Sequence, residues 1–188
     1  MDVSAAIKNR RAYRSLVPAE IDKGTVTELA QAASLAASCF NKQPWQFVFV
    51  YEKESLEKLH TALSKGNEWA YDASMIVAAA CKKDDDCVMK DGREYFLFDT
   101  GMAVAHLVLR ATELGLVAHP IAGFDPEKVR VILGIPADLT VITLINVGKH
   151  SEGISPRLSP DQAKGEKDRP PRKPLEEFAF HNRYGQGS

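Results

Sequence analysis

The sequence predicts a single domain of the α/β or α+β class, in which helices pack against a sheet. Four short, largely apolar segments, FVFVYE, MIVAAAC, LVAHPIA and LTVITLINVG, alternate with segments of helical periodicity. The chain has 188 residues, of which 45% are hydrophobic, enough for one sizeable core and too few for two. With no internal repeat, this alternation favours a layered architecture.

The amino-terminal half is predicted to contain three helices and two strands. They are, in order, a helix over 2–14, a helix that begins after Asp22, a strand over 47–52, a helix over 55–64 and a strand over 75–81. Pro18 ends the first helix, because proline cannot continue a helix. Asp22 is a suitable N-cap for the second.

The carboxy-terminal half begins with the longest predicted helix, over 93–114, which Gly115 ends. Apolar residues surround most of its circumference, and such a helix requires burial on every side. We therefore expect a subunit interface to cover part of it. A strand over 116–122 follows, then a helix capped by Asp125 and Pro126 and ended at Gly134, then a strand over 139–148.

The composition changes after Lys149. Residues 151–174 are rich in proline and charge and have no apolar period, which is typical of a disordered tail. The last stretch, KPLEEFAFHNRYG, regains large apolar residues. We therefore expect residues 151–188 to form an extended tail of the single domain that docks on a partner subunit.

Composition excludes several classes of protein. Lys and Arg number 24 against 25 Asp and Glu, so the net charge of -1 argues against a general nucleic-acid binder. No apolar run reaches the length of a membrane span, and the first residues lack a secretory h-region, so we expect a cytoplasmic protein. The sequence contains no GxGxxG, P-loop or GxSxG motif.

The cysteines indicate neither a disulfide framework nor a metal site. There are 3 of them, Cys39, Cys81 and Cys87, which fits a reducing compartment. Cys81 and Cys87 lack the spacing of a zinc motif. Cys39 has no local base, so we interpret it as a buried thiol.

Arg10, Arg11 and Arg14 form a cationic cluster at the end of the first predicted helix. Arg10 and Arg14 would share a face of that helix, and arginine forks suit phosphate oxygens. A phosphorylated ligand is one interpretation. A solvated helix end and a nucleic-acid patch are the alternatives.

Two loops carry groups that would suit a flat heterocyclic ligand. The segment 38–47 offers Ser38, Asn41 and Gln43 beside Trp45, and a flavin ring needs such neutral hydrogen-bonding groups. In the segment 119–124, Gly123 allows close backbone approach. Core packing and an ordinary strand-to-helix turn are the alternatives for the two segments, and we interpret His119 as structural.

The order of these motifs resembles the FMN-dependent nitroreductase family. They are IKNRRAYR, NKQPWQFV, DTGMAVAHLVLRATELGL, PIAGF and PRKPLEEFAFHNRYG, and they extend over nearly the whole chain. The resemblance implies an α+β fold, with a mixed sheet flanked by helices. It also implies an interlocked homodimer that binds FMN in two interface sites.

The resemblance also implies the cofactor-binding residues. Arg10 and Arg11 match phosphate contacts, and Arg14 matches a cation beside flavin N1 and O2. The remaining candidates are Ala12, Ser38, Cys39, Asn41, Asn67, Pro120, Ala122, Gly123 and Arg172. Ser38, Cys39 and Asn41 match a loop from the other subunit, and Arg172 matches a phosphate contact from the tail. The amides of Ala122 and Gly123 match groups near flavin N5 and O4.

Three positions depart from the family pattern. Ala12 stands where many members have a serine, Ala122 replaces a glutamate, and Pro170 replaces a lysine.

The implied reaction is a two-step exchange, in which NAD(P)H reduces the flavin at N5 and a nitroaromatic, quinone or flavin then accepts the electrons. A non-catalytic FMN-binding or redox-sensing protein and an interaction domain are the alternatives. The resemblance assigns no catalytic side chain.

Overall fold

The fold is built on a 5-stranded sheet with helices on both faces. A computed structural model describes residues 1–186, so the last two residues of the predicted tail lie outside the described part. The strands are β1 Leu16–Val17, β2 Trp45–Val50, β3 Met75–Cys81, β4 Val117–Ile121 and β5 Thr140–His150. The helices are α1 Val3–Asn9, α2 Lys23–Ser34, α3 Lys53–His60, α4 Tyr95–Glu113, α5 Pro126–Leu133 and α6 Pro160–Lys167.

The long strand β5 organises the sheet. It pairs with β3 and with β4, β2 pairs with the other edge of β3, and β1 pairs with the last two residues of β5. The α+β class is confirmed. Every one of these pairings is antiparallel, so the described sheet of one subunit is antiparallel, whereas the resemblance implies a mixed sheet.

Two apolar clusters cover the two faces of the sheet. Ile76, Ala78 and Ala80 of β3 belong to a cluster with α3, α5 and Trp69. Met75 and Val77 belong to the opposite cluster, with α2 and α4. Successive side chains of a strand point to opposite faces, so β3 is buried at all 7 residues. That arrangement explains why MIVAAAC is apolar throughout.

The predicted helix caps are confirmed. The Asp22 side chain accepts a hydrogen bond from the backbone of Thr25 at the start of α2. Asp125 does the same for Lys128, with Pro126 in the first turn of α5. Gly134 ends α5 in the left-handed conformation with φ 64°, which glycine adopts without a steric penalty.

The prediction for the first helix is wrong at its carboxy-terminal end. The helix ends at Asn9, and Arg10 has φ -57° and ψ 119°. The following residues lead directly into β1, and the Glu166 carboxylate accepts hydrogen bonds from the backbone N–H groups of Arg14 and Ser15. Tertiary bonding thus replaces the last helical turns, and Arg10 and Arg14 do not share a helix face.

The tail prediction is wrong for residues 160–167, which form α6. Ser159 caps this helix, Pro160 occupies its first turn, and Gln162 completes a capping box. The helix has one buried residue, Glu166, which explains why no apolar period marks it in the sequence.

The cysteine prediction is wrong for one pair, because Cys39 and Cys87 form a disulfide. Their Cα atoms lie 6.1 Å apart although 48 positions separate them in the chain. Tertiary folding alone brings these residues together, so spacing could not indicate the pair. Cys81 is buried and free.

The exterior of α4 keeps large apolar groups in contact with solvent. Phe98 is 56% exposed, while Ala103, Leu107 and Ala111 on the opposite side are fully buried.

Within residues 1–186, no helix has the length and apolarity to cross a membrane.

Candidate functional site

Five arginine side chains line one small pocket beside the amino-terminal segment. The pocket has a volume of about 220 Å³. Its lining residues are Arg10, Arg11, Ala12, Arg14, Gly165, Arg169, Pro170 and Arg172. The extended backbone after α1 supplies the first four, and the segment that includes α6 and the chain after it supplies the others.

The charges of these arginines are uncompensated by protein carboxylates. Among residues 1–186, none of the five forms an ion pair within 4.0 Å, although four other arginines of the chain do. Burial lowers the pKa of Arg10, and repulsion from Arg169 and Arg172 lowers it further. A bound anion would remove that repulsion, and arginine is the side chain best suited to phosphate.

Backbone contacts hold the two walls of the pocket together. Arg11 donates to the carbonyl oxygen of Gly165 at 2.9 Å, and its guanidinium lies 4.4 Å from the centre of the Tyr13 ring. Arg169 donates to the carbonyl oxygen of Arg10 at 2.9 Å. The Glu166 carboxylate is buried and accepts the N–H groups of Arg14 and Ser15 at 2.9 and 3.0 Å. The Glu166 carboxylate is therefore hydrogen-bonded to the backbone and not to the guanidinium groups that line the pocket.

A second group of candidates lies where the loop before the Trp69 turn meets the end of β4. The Asn67 side-chain amide donates to the carbonyl oxygen of Gly123 at 2.9 Å, and its oxygen accepts from Trp69 Nε1 at 3.2 Å. A Cβ at Gly123 would overlap Asn67 Nδ2, so any larger residue here would displace the Asn67 amide from its hydrogen bond. The Arg14 guanidinium lies 5.9 Å from the Trp69 ring, which connects this group to the arginine pocket.

Near the end of β4, residues close to Gly123 are exposed to solvent, whereas His119 is buried. Pro120 and Ala122 are exposed, while His119 is buried against Trp69, with ring centres 4.7 Å apart. Burial lowers the His119 pKa to about 4, so the ring is neutral at pH 7. Its Nδ1 lies 3.0 Å from the Tyr13 carbonyl oxygen, which agrees with the structural interpretation.

Ser38, Cys39 and Asn41 lie together in a separate loop between α2 and β2. The loop is strained, because Phe40 and Asn41 have φ values of 48° and 57°. The Cys39 backbone N–H donates to the buried carboxylate of Asp99 on α4 at 2.7 Å. The role of this loop and of the other candidates in cofactor binding stays a prediction.

Sequence reasoning missed Glu166 and Asp99. Both are buried acids whose partners are backbone N–H groups distant in the chain. The Ser159 capping box could have indicated α6 and hence a docked segment before Arg169. No comparable signal marks Asp99, which lies inside an apolar helix.

A family model matches most of the chain, including the amino-terminal arginines. The model described as the nitroreductase family matches residues 7–68 and 61–149. The chain belongs to the nitroreductase family. The match includes Arg10, Arg11, Arg14, the Ser38–Asn41 loop and Gly123. The resemblance inferred from the sequence is therefore confirmed.

Relatives and solved structures agree with membership of the nitroreductase family. A protein of Archaeoglobus fulgidus, provisionally named an NADH dehydrogenase/NAD(P)H nitroreductase, is 27% identical and aligns over 86% of this chain and 95% of its own length. A solved structure described as an oxidoreductase containing FMN superposes with a TM-score of 0.85 at 26% identity, covering 99% of this chain and 94% of that one. A nitroreductase family protein from Clostridium difficile 630 gives a TM-score of 0.79 at 26% identity, covering 97% and 99%.

Proposed function

We propose that this chain is an FMN-dependent oxidoreductase that passes electrons from NADH or NADPH to a small acceptor such as a nitroaromatic, a quinone or a free flavin. The observation that carries the proposal is the pocket with five arginines, which has no carboxylate partner among the described residues. Membership of the nitroreductase family and the similarity to a structure described as containing FMN support it.

The residues of the pocket fit the phosphate group of FMN. Arg10, Arg11 and Arg172 would hold the phosphate oxygens through charge-assisted hydrogen bonds. After burial, repulsion from Arg169 and Arg172 contributes to the lowered pKa of Arg10, and a doubly charged phosphate would relieve that repulsion. Ala12 supplies no hydroxyl, so the arginines carry this interaction.

The remaining candidates would hold the ring of FMN. Bound FMN would supply the redox chemistry, taking a hydride at N5 from NAD(P)H and passing electrons to an acceptor in a second half-reaction. Arg14 would stabilise negative charge at the N1 and O2 edge. The contact with Asn67 would hold the Gly123 backbone for close approach to the ring. His119 is neutral at pH 7 and buried, so it supplies no proton.

We also propose that the working unit is a homodimer. Apolar side chains of α1, α2 and α4 line an open groove of about 370 Å³, in which Leu35 is 79% exposed and Val3 72% exposed. Phe178 and Tyr184 of the tail are 59% and 92% exposed. A second subunit would bury these groups, with residues 175–186 of the tail extending across it and the Ser38–Asn41 loop reaching the partner's flavin.

Anaerobic mixing of the FMN-loaded protein with NADH or NADPH tests the catalytic proposal. We expect the flavin absorption to bleach within seconds and to return when a nitroaromatic or quinone is added, with repeated turnover. A matched sample without acceptor must stay bleached. Slow bleaching that no acceptor reverses would contradict catalysis and favour a redox-sensing protein.

A further inference from the structure

The Cys39 and Cys87 sulfur atoms lie beside two buried acids that the proposed oxidoreductase reaction does not use. Cys39 follows α2, and Cys87 follows a short turn of 3-10 helix over Lys83–Asp85. The two sulfur atoms and a carboxylate oxygen of Asp86 all lie within 4.8 Å of one another. Cys39 and Cys87 are half-buried, and Asp86 is buried.

The two acids have unsatisfied oxygens. Asp86 is 5% exposed and Asp99 is fully buried. One oxygen of each accepts a backbone N–H at 2.7 Å, from Cys87 and Cys39 respectively. The other oxygens, Asp86 Oδ2 and Asp99 Oδ1, have no hydrogen-bond partner within the described part of the chain. Neither acid forms an ion pair within 4.0 Å there, although the positive charge of Lys42 lies near enough to act on Asp86. The cluster therefore has buried acceptors and no cation bound directly to them.

The Asp86 and Asp99 side chains are close neighbours, so two buried carboxyl groups face each other. A bound cation would remove the repulsion between two carboxylates at this distance. Two thiolates with a carboxylate are ligands typical of Zn²⁺, whereas Mg²⁺ and Ca²⁺ require oxygen ligands alone. Three protein ligands leave a fourth tetrahedral position, which Asp99 or a water molecule could fill.

We propose that Cys39, Asp86 and Cys87 form a Zn²⁺ site when the two cysteines are reduced. A dithiol reductant converts the disulfide to two thiols and is itself oxidised to a disulfide. Zn²⁺ then replaces one proton on each thiol, and two protons are released. Disulfide and metal are therefore alternative cross-links between the same two loops, and a reducing compartment favours the metal.

The cross-link would stabilise a strained loop. Phe40, Asn41 and Gln43 all have φ between 48° and 57°, a region that costs non-glycine residues free energy. The Cys39 backbone N–H donates to Asp99, and the Cys39 sulfur is bonded to Cys87. Both the backbone and the side chain of Cys39 are therefore held in place. A link between this site and flavin binding rests on the proposed function, while Zn²⁺ binding itself does not.

Metal titration of the reduced protein without FMN tests the proposal. Under anaerobic conditions with excess dithiol reductant removed, we expect one Co²⁺ per chain to give thiolate-to-cobalt charge-transfer absorption, which one Zn²⁺ then displaces. The Cys87→Ser and Asp86→Asn variants should lose at least about 10-fold in Co²⁺ affinity. Cys81→Ser and Asp85→Asn are matched controls at neighbouring positions and should bind as the unaltered protein does.

Thiol alkylation gives a second readout that needs no variant. In the reduced protein, Zn²⁺ should protect Cys39 and Cys87 from alkylation, while Cys81, which is fully buried, should stay unmodified with and without metal. Absence of thiolate-to-cobalt absorption, or a cysteine pair that excess dithiol fails to reduce in the folded protein, would overturn the proposal. Neither result bears on FMN binding, which is measured separately from flavin absorption.

Discussion

Gly123 and Asn67 are in such close contact that a side chain at position 123 would displace the Asn67 amide. A Cβ at Gly123 would overlap the Asn67 amide, which donates to the Gly123 carbonyl oxygen at 2.9 Å. We expect Gly123→Ala to reduce the free energy of unfolding by about 1 to 3 kcal/mol, because the displaced Asn67 side chain loses its hydrogen bonds to Gly123 and Trp69. Urea denaturation at neutral pH measures this change.

A double-mutant cycle identifies the cause of that loss. Asn67→Ala removes the obstructing amide, so adding Gly123→Ala to it should leave the free energy of unfolding nearly unchanged. The two changes would therefore be strongly non-additive. Additive effects would contradict the proposed overlap. Gly101→Ala is the matched glycine control, because nothing lies within 4 Å of its added Cβ.

The buried His119 predicts a pH dependence of stability. Its pKa in the folded protein is about 4, below the ordinary value of 6.5, chiefly because of burial. The neutral ring therefore stabilises the fold fully above pH 6.5, and this contribution is lost as the pH falls to 4. The loss amounts to roughly 3 kcal/mol at most.

Unfolding measured between pH 4 and 7 checks the role of His119. We expect His119→Gln to flatten the decline in stability over this range, whereas His181→Gln, at an exposed position, should leave it unchanged. An equal decline in both variants would assign the effect to other groups.

At the scale of single residues, the sequence indicated which residues lie at the candidate site better than it indicated what they contact. The arginines and Gly123 were recognisable from residue type and motif order. Glu166 was not, because its role is to accept two backbone N–H groups more than 150 positions away in the chain. Such a contact exists only after the chain has folded.

At the scale of elements, α6 connects the tail to the amino-terminal segment through Glu166. An amide in place of the carboxylate would direct a donor at one of the two N–H groups that the carboxylate now accepts. We expect Glu166→Gln to lower the free energy of unfolding by about 1 to 3 kcal/mol. FMN affinity should fall as well, because Arg169 and Arg172 follow this helix into the pocket.

Urea unfolding and FMN titration of Glu166→Gln measure the two effects together. Glu127→Gln, on the exposed surface of α5, is the matched control and should change neither. Lower stability with unaltered FMN affinity would separate α6 from the proposed phosphate site.

The elements that local signals define were predictable. Caps at Asp22, Asp125 and Gly134 fixed three helix ends, and an apolar run fixed β3 at Met75–Cys81. The end of α1 was not predictable, because tertiary hydrogen bonds that the following backbone donates to the Glu166 carboxylate hold it extended. Helical periodicity does not report such competition.

At the scale of the whole molecule, the exposed apolar groove of α1, α2 and α4 predicts a dimer. Leu35 is 79% exposed in this groove. We expect the protein to sediment as a dimer at micromolar concentration, and Leu35→Asp to shift it toward the monomer, because a buried charge opposes association. Val131→Asp, 71% exposed on α5, is the matched control and should remain dimeric. A monomeric unaltered protein would contradict the interface.

The most direct test of the central claim is a comparison of FMN and riboflavin binding to the unaltered protein and to Arg10→Ala. The two ligands share the flavin ring, and only FMN carries the phosphate that the arginine pocket would bind. We expect the unaltered protein to bind FMN more tightly than riboflavin. Arg10→Ala should lose about 10- to 100-fold in FMN affinity and little in riboflavin affinity. Equal losses for both ligands, or no FMN binding at all, would contradict the phosphate site and the flavoenzyme built on it.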